Sequence, residues 1–230
     1  MATAQADIVV IVTAYNEADR LPATLTSLDE AFPGAHVVVA DDGSADESSH
    51  VALQQGADLV RLPVTKGKGE AATAAAERVL HRALEPDPPV FVLCDGDLAE
   101  SAAQLPRLVE AVRSGEGDLV VANFAKRVGG GFGFALNFAR WAIEKRSGLR
   151  LEAPISGQRA MRGDVLPVVV PFSHAFGMEI GMTVDAARAG YRVKEVEIDL
   201  AHRATGKTLK GFLHRFRQLR DFVRVYLDRA

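Results

Sequence analysis

Ile8-Val9-Val10-Ile11-Val12 runs without interruption into Thr13-Ala14-Tyr15-Asn16-Glu17. Five consecutive apolar residues, all of them β-branched, predict a short strand buried on both faces rather than an alternating half-exposed one. The polar stretch that follows predicts a strand end opening into a loop. Similar runs recur at Val37–Ala40, Val90–Leu93 and Leu119–Ala122. Helical spacing fills the intervals. Leu21, Leu25 and Leu28 share one face; Ala71–Leu80 is alanine-rich and opened by Gly69; Leu105, Leu108, Val109 and Val112 mark a third helix. Strand and helix alternating over the first half predict an α/β fold with a mostly parallel sheet flanked by helices.

Beyond Ala125 the texture changes. Lys126-Arg127-Val128-Gly129-Gly130-Gly131 reads as a basic glycine-rich loop, followed by an aromatic-rich helix from Phe132 to Lys145. A short strand is expected at Gln158–Arg162, a helix at Glu179–Ala189 and a less buried strand at Tyr191–Leu200. Thr208–Leu227 reads as a basic amphipathic helix. Its apolar positions favour packing on the sheet with a solvated basic face; the alternative is a helix lying on a membrane surface. No repeat or linker divides the chain, so one domain in two halves is expected.

Bulk properties set the boundaries. A chain of 230 residues buries roughly 70% of its unfolded surface and needs no cross-link to hold it. The net charge of -3 excludes a strongly basic nucleic-acid binder. One cysteine, Cys94, excludes a disulfide scaffold and a multi-cysteine zinc site; at a buried strand end it reads as a small core residue. The opening MATAQAD has no basic region before an apolar stretch, and no apolar run approaches the ~18 residues of a membrane span, so a cytoplasmic protein is expected.

Carboxylates gather where strands end: Glu17, then Asp41-Asp42-Gly43-Ser44, then Asp95-Gly96-Asp97. Ligands bind open α/β sheets at those ends. Three clusters of carboxylates there repel one another unless a cation lies between them, and a divalent metal or a basic loop answers that need. Lys66-Gly67-Lys68-Gly69-Glu70 is such a loop, placed before a helix N-terminus where glycines let backbone N–H groups approach an anion. Taken singly, Asp41, Asp42 and Ser44 read as turn and cap residues. Taken together and in this order, the clusters point to a nucleotide site. Ala201-His202-Arg203-Ala204-Thr205-Gly206-Lys207-Thr208 imitates a P-loop, but Ala stands where its first glycine belongs, and only 22 residues follow, so an ATPase or kinase is rejected.

These residues, Val10–Glu17, Asp41–Asp46, Gly67–Ala71 and Asp95–Leu98, resemble the family 2 type glycosyltransferases of GT-A fold, a Rossmann-like, mostly parallel central sheet flanked by helices. Two branches of the family are echoed. Gly67–Ala71, Val170-Pro171-Phe172, Phe176–Gly181 and Ala201-His202-Arg203 resemble glucosyl-3-phosphoglycerate synthase. Ser156-Gly157-Gln158-Arg159-Ala160-Met161-Arg162 and the basic end resemble the dolichyl-phosphate mannose synthase group.

The resemblance implies a nucleoside-diphosphate sugar, UDP- or GDP-linked, in the half comprising residues 1–124, and a phosphorylated acceptor in the half 125–230. Thr13, Ala14, Tyr15 and Glu17 would contact the nucleoside, Asp42 the base, Lys68 the diphosphate and Asp95 the ribose or sugar. Asp97 and His202 would ligate Mg²⁺ or Mn²⁺, which favour oxygen donors and let substrate phosphates complete the shell. Glu179 would orient the sugar or act as a base, and Ser156, Gly157, Gln158 and Arg159 would hold the acceptor phosphate. In the phosphoglycerate branch an arginine follows the glycine-rich loop; here Phe132-Gly133-Phe134 does. That departure points to a polyprenyl phosphate or another phosphorylated lipid, with peripheral contact at the inner face of a membrane. Phe138 and Trp141 either meet its apolar tail or pack in the core. Transfer to a small phosphorylated acid and a catalytically inactive sugar-nucleotide binder are the alternatives. A nucleotidyltransferase ranks below them, because Ala14-Tyr15-Asn16-Glu17 stands where its glycine-rich basic signature belongs.

Overall fold

The computed structural model describes residues 7–124, 133–174, 177–198 and 221–229. One sheet organises them. Its strands are β1 (Ile8–Ala14), β2 (His36–Asp41), β3 (Asp58–Arg61), β4 (Val90–Asp95), β5 (Leu119–Phe124), β6 (Arg159–Met161) and β7 (Val193–Ile198), in spatial order β3-β2-β1-β4-β6-β5-β7. All pair in parallel except β6, which runs antiparallel between β4 and β5. The α/β, mostly parallel expectation is met.

The uninterrupted apolar runs have the anticipated cause. Val10 and Val12 face a core shared with α1 (Leu21–Ala31) and α4 (Pro106–Arg113). Val9 and Ile11 face the opposite core, with α3 (Lys68–Val79), α6 (Leu166–Val169) and α7 (Met178–Arg188). A short α2 (Ser48–Gln54) packs beside α1, and Cys94 is buried in the first core, as its position suggested. A third cluster joins α5 (Gly133–Ser147) and α7 to α8, the helical residues 221–228, through Ala139, Ile143, Ile180, Phe222 and Val225.

Two details differ from expectation, and two bear on alternatives the sequence left open. Strand β3 has only Leu59 and Val60 between charged ends; it is a half-exposed edge with too little apolar signal to stand out. Helix α3 begins at Lys68, inside the basic glycine stretch, because Gly67 at φ 120° turns the chain into the helix. Positive φ is a conformation glycine adopts without steric penalty. The described end of the last helix packs on protein: Phe222 and Val225 are buried, though Val223 and Leu227 are exposed. Phe138 is part-buried on the third cluster, while Trp141 lies half-exposed and stacks on Tyr226 at 4.8 Å between ring centres. The loop Lys126–Gly131, the segment 201–220 and His202 lie outside the described residues.

Register places the acidic groups. Thr13 lies beside Ala40 on one neighbour and Asp95 on the other, and Ala14 beside Asp41. Three adjacent parallel strands therefore release Glu17, Asp42 and Asp97 from one edge of the sheet.

Candidate active site

The loop after β2 is held from several sides. Asp41 is fully buried, accepting from the backbone N–H of Ser44 at 2.8 Å and from the hydroxyl of Ser49. The Ser44 hydroxyl accepts from Asn16 N–H at 2.9 Å, and Asn16 Oδ1 accepts from Ala45 N–H at 2.8 Å, which ties this loop to the one after β1. Arg61, from the strand the sequence did not reveal, donates to Ser44 O at 2.8 Å and Ser49 Oγ at 3.0 Å. Asp41 and Ser44 are thus the turn-bracing residues that their types suggested.

Asp42 does more. Its carboxylate accepts the backbone N–H groups of Lys66 at 2.7 Å and Gly67 at 2.9 Å, tying the basic glycine loop to the end of β2. A Cβ on Gly43 would meet Thr65 N at 3.0 Å, so only glycine lets the two loops close on each other. Thr13, Ala14 and Tyr15 line the same strand end, with the Tyr15 ring half-exposed. The arrangement offers a flat aromatic face and backbone polar groups beside a fixed carboxylate.

Below it lies an ionic centre. Lys68 Nζ donates to Asp95 Oδ1 at 2.6 Å and to Glu179 Oε1 at 2.9 Å. Gln158 Nε2 donates to Asp95 Oδ2 at 2.8 Å, and the Thr13 hydroxyl donates to Oδ1 at 3.2 Å. Burial alone would raise the Asp95 carboxyl, but Lys68, Gln158 and Thr13 together hold it below the usual carboxylate range. Burial alone would lower the Lys68 ammonium, yet Asp95 and Glu179 outweigh it and hold it above its ordinary value. Both groups stay ionised across the neutral range.

Next to this centre the balance tips acidic. Asp97 meets Arg20 at 3.2 Å, both part-exposed. Glu17 is pushed up, first by burial and then by the charges of Asp97, Asp46 and Asp95, with Arg20 pulling the other way. Carboxylates that raise one another's affinity for protons also favour a metal cation. Among the described residues no three His, Cys, Asp or Glu side chains converge on one point. Asp97, with Asp95 two positions before it, offers carboxylate oxygens of the kind a hard divalent ion takes, and such an ion would need substrate phosphates and water to complete its shell.

Most of the expected residues converge: Thr13, Ala14, Tyr15, Glu17, Asp42, Lys68, Asp95, Asp97, Gly157, Gln158 and Glu179 cluster at one sheet edge. Ser156 is buried behind Gln158, its hydroxyl 3.3 Å from the Gln158 side-chain oxygen. Arg159 departs from expectation. Its guanidinium is turned inward and fully buried, away from any surface where an acceptor phosphate could reach it. Arg20 is the contributor that sequence reasoning missed; only its place three residues after Glu17 hints at it.

The chain matches the family model described as Glycosyl transferase family 2 over residues 9–178. It belongs to that family. Its relatives include an undecaprenyl-phosphate mannosyltransferase of Micrococcus luteus, 31% identical over 87% of this chain and 86% of the relative. A dolichyl-phosphate hexose transferase of Haloferax volcanii is 27% identical over 96% of this chain and 95% of its own length. Among solved structures, the glucosyl-3-phosphoglycerate synthase of Mycobacterium tuberculosis with Mg²⁺ and UDP superposes with a TM-score of 0.76 at 25% identity, covering 96% of this chain and 78% of that one. The family member is a glycosyltransferase with the GT-A fold, and both expected branches appear among its relatives. Among the described residues, no helix is long and apolar enough to cross a membrane.

Proposed function

We propose that this glycosyltransferase moves a hexose from a UDP- or GDP-linked donor to a polyprenyl phosphate or another phosphorylated lipid, with Mg²⁺ or Mn²⁺ as cofactor. The ionic centre carries the reading: a lysine is shared by Glu179 and by Asp95, the last residue of β4, and Asp97 follows two positions on. The lipid-phosphate relatives, similar over nearly their whole length, support the acceptor class. Solved structures of the synthase with Mn²⁺ or Mg²⁺ and UDP support the cation and the diphosphate.

In this reading the strand ends of β1 and β2 grip the nucleoside, with Tyr15 against the base and Asp42 accepting one of its N–H groups. Lys68, at the N-terminus of α3, faces the diphosphate; it can exchange Asp95 for a phosphate oxygen without leaving Glu179. Asp97 and Asp95 would hold the metal, with His202 as a further ligand; bound there, it supplies Lewis-acid stabilisation of the departing diphosphate. A phosphate oxygen of the acceptor forms the new bond to the sugar's anomeric carbon as the bond to the donor diphosphate breaks. That oxygen is already a nucleophile, so no base has to take a proton. Glu179, committed to Lys68, then serves to orient the donor. Residues 1–124 hold the donor and 125–230 the acceptor.

A second reading has its own support. The synthase solved with Mn²⁺, UDP and phosphoglyceric acid superposes with a TM-score of 0.75 at 25% identity. The two separate in one experiment, in which radiolabelled UDP- and GDP-sugars are offered with short-chain polyprenyl phosphate and 3-phosphoglycerate side by side. Label in the butanol-extractable product is the expected result, and Asp97→Ala should abolish it while leaving the fold intact. Label confined to the water-soluble glycerate product overturns the lipid assignment, and near-normal turnover of Asp97→Ala overturns the metal assignment.

A further inference from the structure

Arg159 is the largest fully buried side chain described, and all three guanidinium nitrogens are engaged. Nε donates to Ser156 O at 2.9 Å, Nη2 to Pro154 O at 2.9 Å and Nη1 to the Thr183 hydroxyl at 2.8 Å. Thr183 lies on α7, one turn beyond Glu179, and its hydroxyl donates to Glu179 O at 2.9 Å. The guanidinium therefore links by hydrogen bonds two pieces of chain that are distant in sequence. One is the turn carrying Ser156, Gly157 and Gln158; the other is the first turn of α7, which carries Glu179.

Both pieces end on the ionic centre. From the turn, Gln158 reaches Asp95, and Gly157 lies so close beneath the centre that an added Cβ would stand 2.5 Å from Lys68 Nζ and 2.7 Å from Asp95 Oδ2. From α7, Glu179 reaches Lys68. The far end of the turn is pinned separately: Glu195 on β7 accepts the backbone N–H groups of Glu152 at 2.8 Å and Ala153 at 2.6 Å. Glu195 fixes where the turn begins, and Arg159 fixes its height against α7.

A charge buried this way is costly unless something compensates it. Among the described residues no carboxylate pairs with the guanidinium. Burial pushes it down to about 10, with Glu179 and Glu195 as the nearest charges opposing the shift. An apolar side chain of similar size would fill the space with less desolvation. What it cannot supply is a planar fork that reaches two carbonyls and a hydroxyl at once.

We propose that Arg159 is a positioning residue for sugar transfer, holding the Ser156–Gln158 turn and the Glu179 end of α7 in the one register that brings Asp95, Lys68 and Glu179 together. This rests on the transferase reading above. The guanidinium touches no substrate and acts through Gly157, Gln158 and Glu179. It makes no bond to Thr13, Tyr15 or Asp42, so nucleoside binding does not depend on it.

The test compares Arg159→Lys, Arg159→Ala and Thr183→Val with the unaltered full chain. Turnover should fall by about 100-fold in Arg159→Lys, the scale expected when reacting groups are misplaced by about 1 Å. It should fall less in Thr183→Val, which removes one of the three acceptors and keeps the charge. Calorimetric affinity for UDP or GDP should stay within about threefold of the parent in both. Millimolar guanidinium should restore part of the turnover of Arg159→Ala, a rescue that a generally loosened fold would not show. Amide exchange across residues 155–158, read without substrate, should quicken in every variant. Quickened exchange with unchanged turnover overturns the proposal, as does a loss of turnover matched by an equal loss of UDP or GDP affinity. Should the parent transfer sugar from no donor, the transferase reading fails; quickened exchange then stands as evidence of the brace without its catalytic purpose, and the positioning role falls with it.

Discussion

Replacing Lys68 by methionine keeps most of the aliphatic stem and removes the ammonium that Asp95 and Glu179 share. Two carboxylates are then left facing the same vacated point, where the ammonium had stood 2.6 and 2.9 Å from them. Removing one partner of a buried ion pair costs about 3–5 kcal/mol. Asp95 is 30% exposed and Glu179 8%, so water relieves the first more than the second and the lower end applies, about 3 kcal/mol. For a chain of this length that lowers Tm by about 6–12 °C. The pH dependence carries the sharper test. In the parent, the Asp95 carboxyl lies below its ordinary 3.8, so the stability it contributes is present above that value and lost as pH falls through the lower folded value. The Lys68 ammonium lies above 10.5, so its contribution is complete below that pH and lost as pH rises through the raised value. Between them the parent's contribution from this centre is flat. In Lys68→Met, mutual repulsion raises the two carboxylates in the folded state, which then binds protons more tightly than the unfolded chain. Its stability therefore rises relative to the parent as pH falls from 8 to 5. Thermal melts at both pH values read the difference, and adding Glu179→Gln should recover part of the loss. A Tm within about 1 °C of the parent, or an equal deficit at both pH values, would refute the ionic centre as described.

Three further outcomes follow from the same geometry. Asp42→Ala leaves the N–H groups of Lys66 and Gly67 without their acceptor, which should cost about 1–3 kcal/mol in denaturant melts and weaken UDP or GDP binding in titrations. Gly157→Ala places a methyl against Lys68 Nζ and Asp95, whose side-chain ends can yield, so turnover in the radiolabel assay should fall far more than Tm does. The Cys94 thiol is buried and pushed up by burial and by Asp95, so it should react with a disulfide reagent only as fast as the chain opens, and rapid labelling of the native protein would contradict its core placement.

The chain announces its central strands because each is buried on both faces, and burial on both faces requires an unbroken apolar run that needs no context to be read. Strand β3 pairs on one side only and stays half-exposed, so Asp58-Leu59-Val60-Arg61 carries no such run, and the site lost sight of Arg61 with it. The carboxylates at strand ends were legible for a related reason: parallel strands in register deliver their C-terminal residues to one edge, so Glu17, Asp42 and Asp97 are neighbours as soon as the topology is accepted. What they touch is another matter. Lys68 and Glu179 lie 111 residues apart, and nothing near either one names the other. The same holds for Arg20 against Asp97. Arg159 shows how residue type misleads when only the local stretch is read. An arginine after Ser-Gly-Gln suggests a phosphate contact, and the motif does lie at the site, yet β6 is antiparallel and wedged between β4 and β5. Because β6 runs against its neighbours, Gly157 and Gln158 emerge at the same edge as Asp95, while Arg159, the first residue of β6, turns beneath them into the gap against α7. The direction of one three-residue strand thus separates the residues that face a ligand from the one that holds them in place.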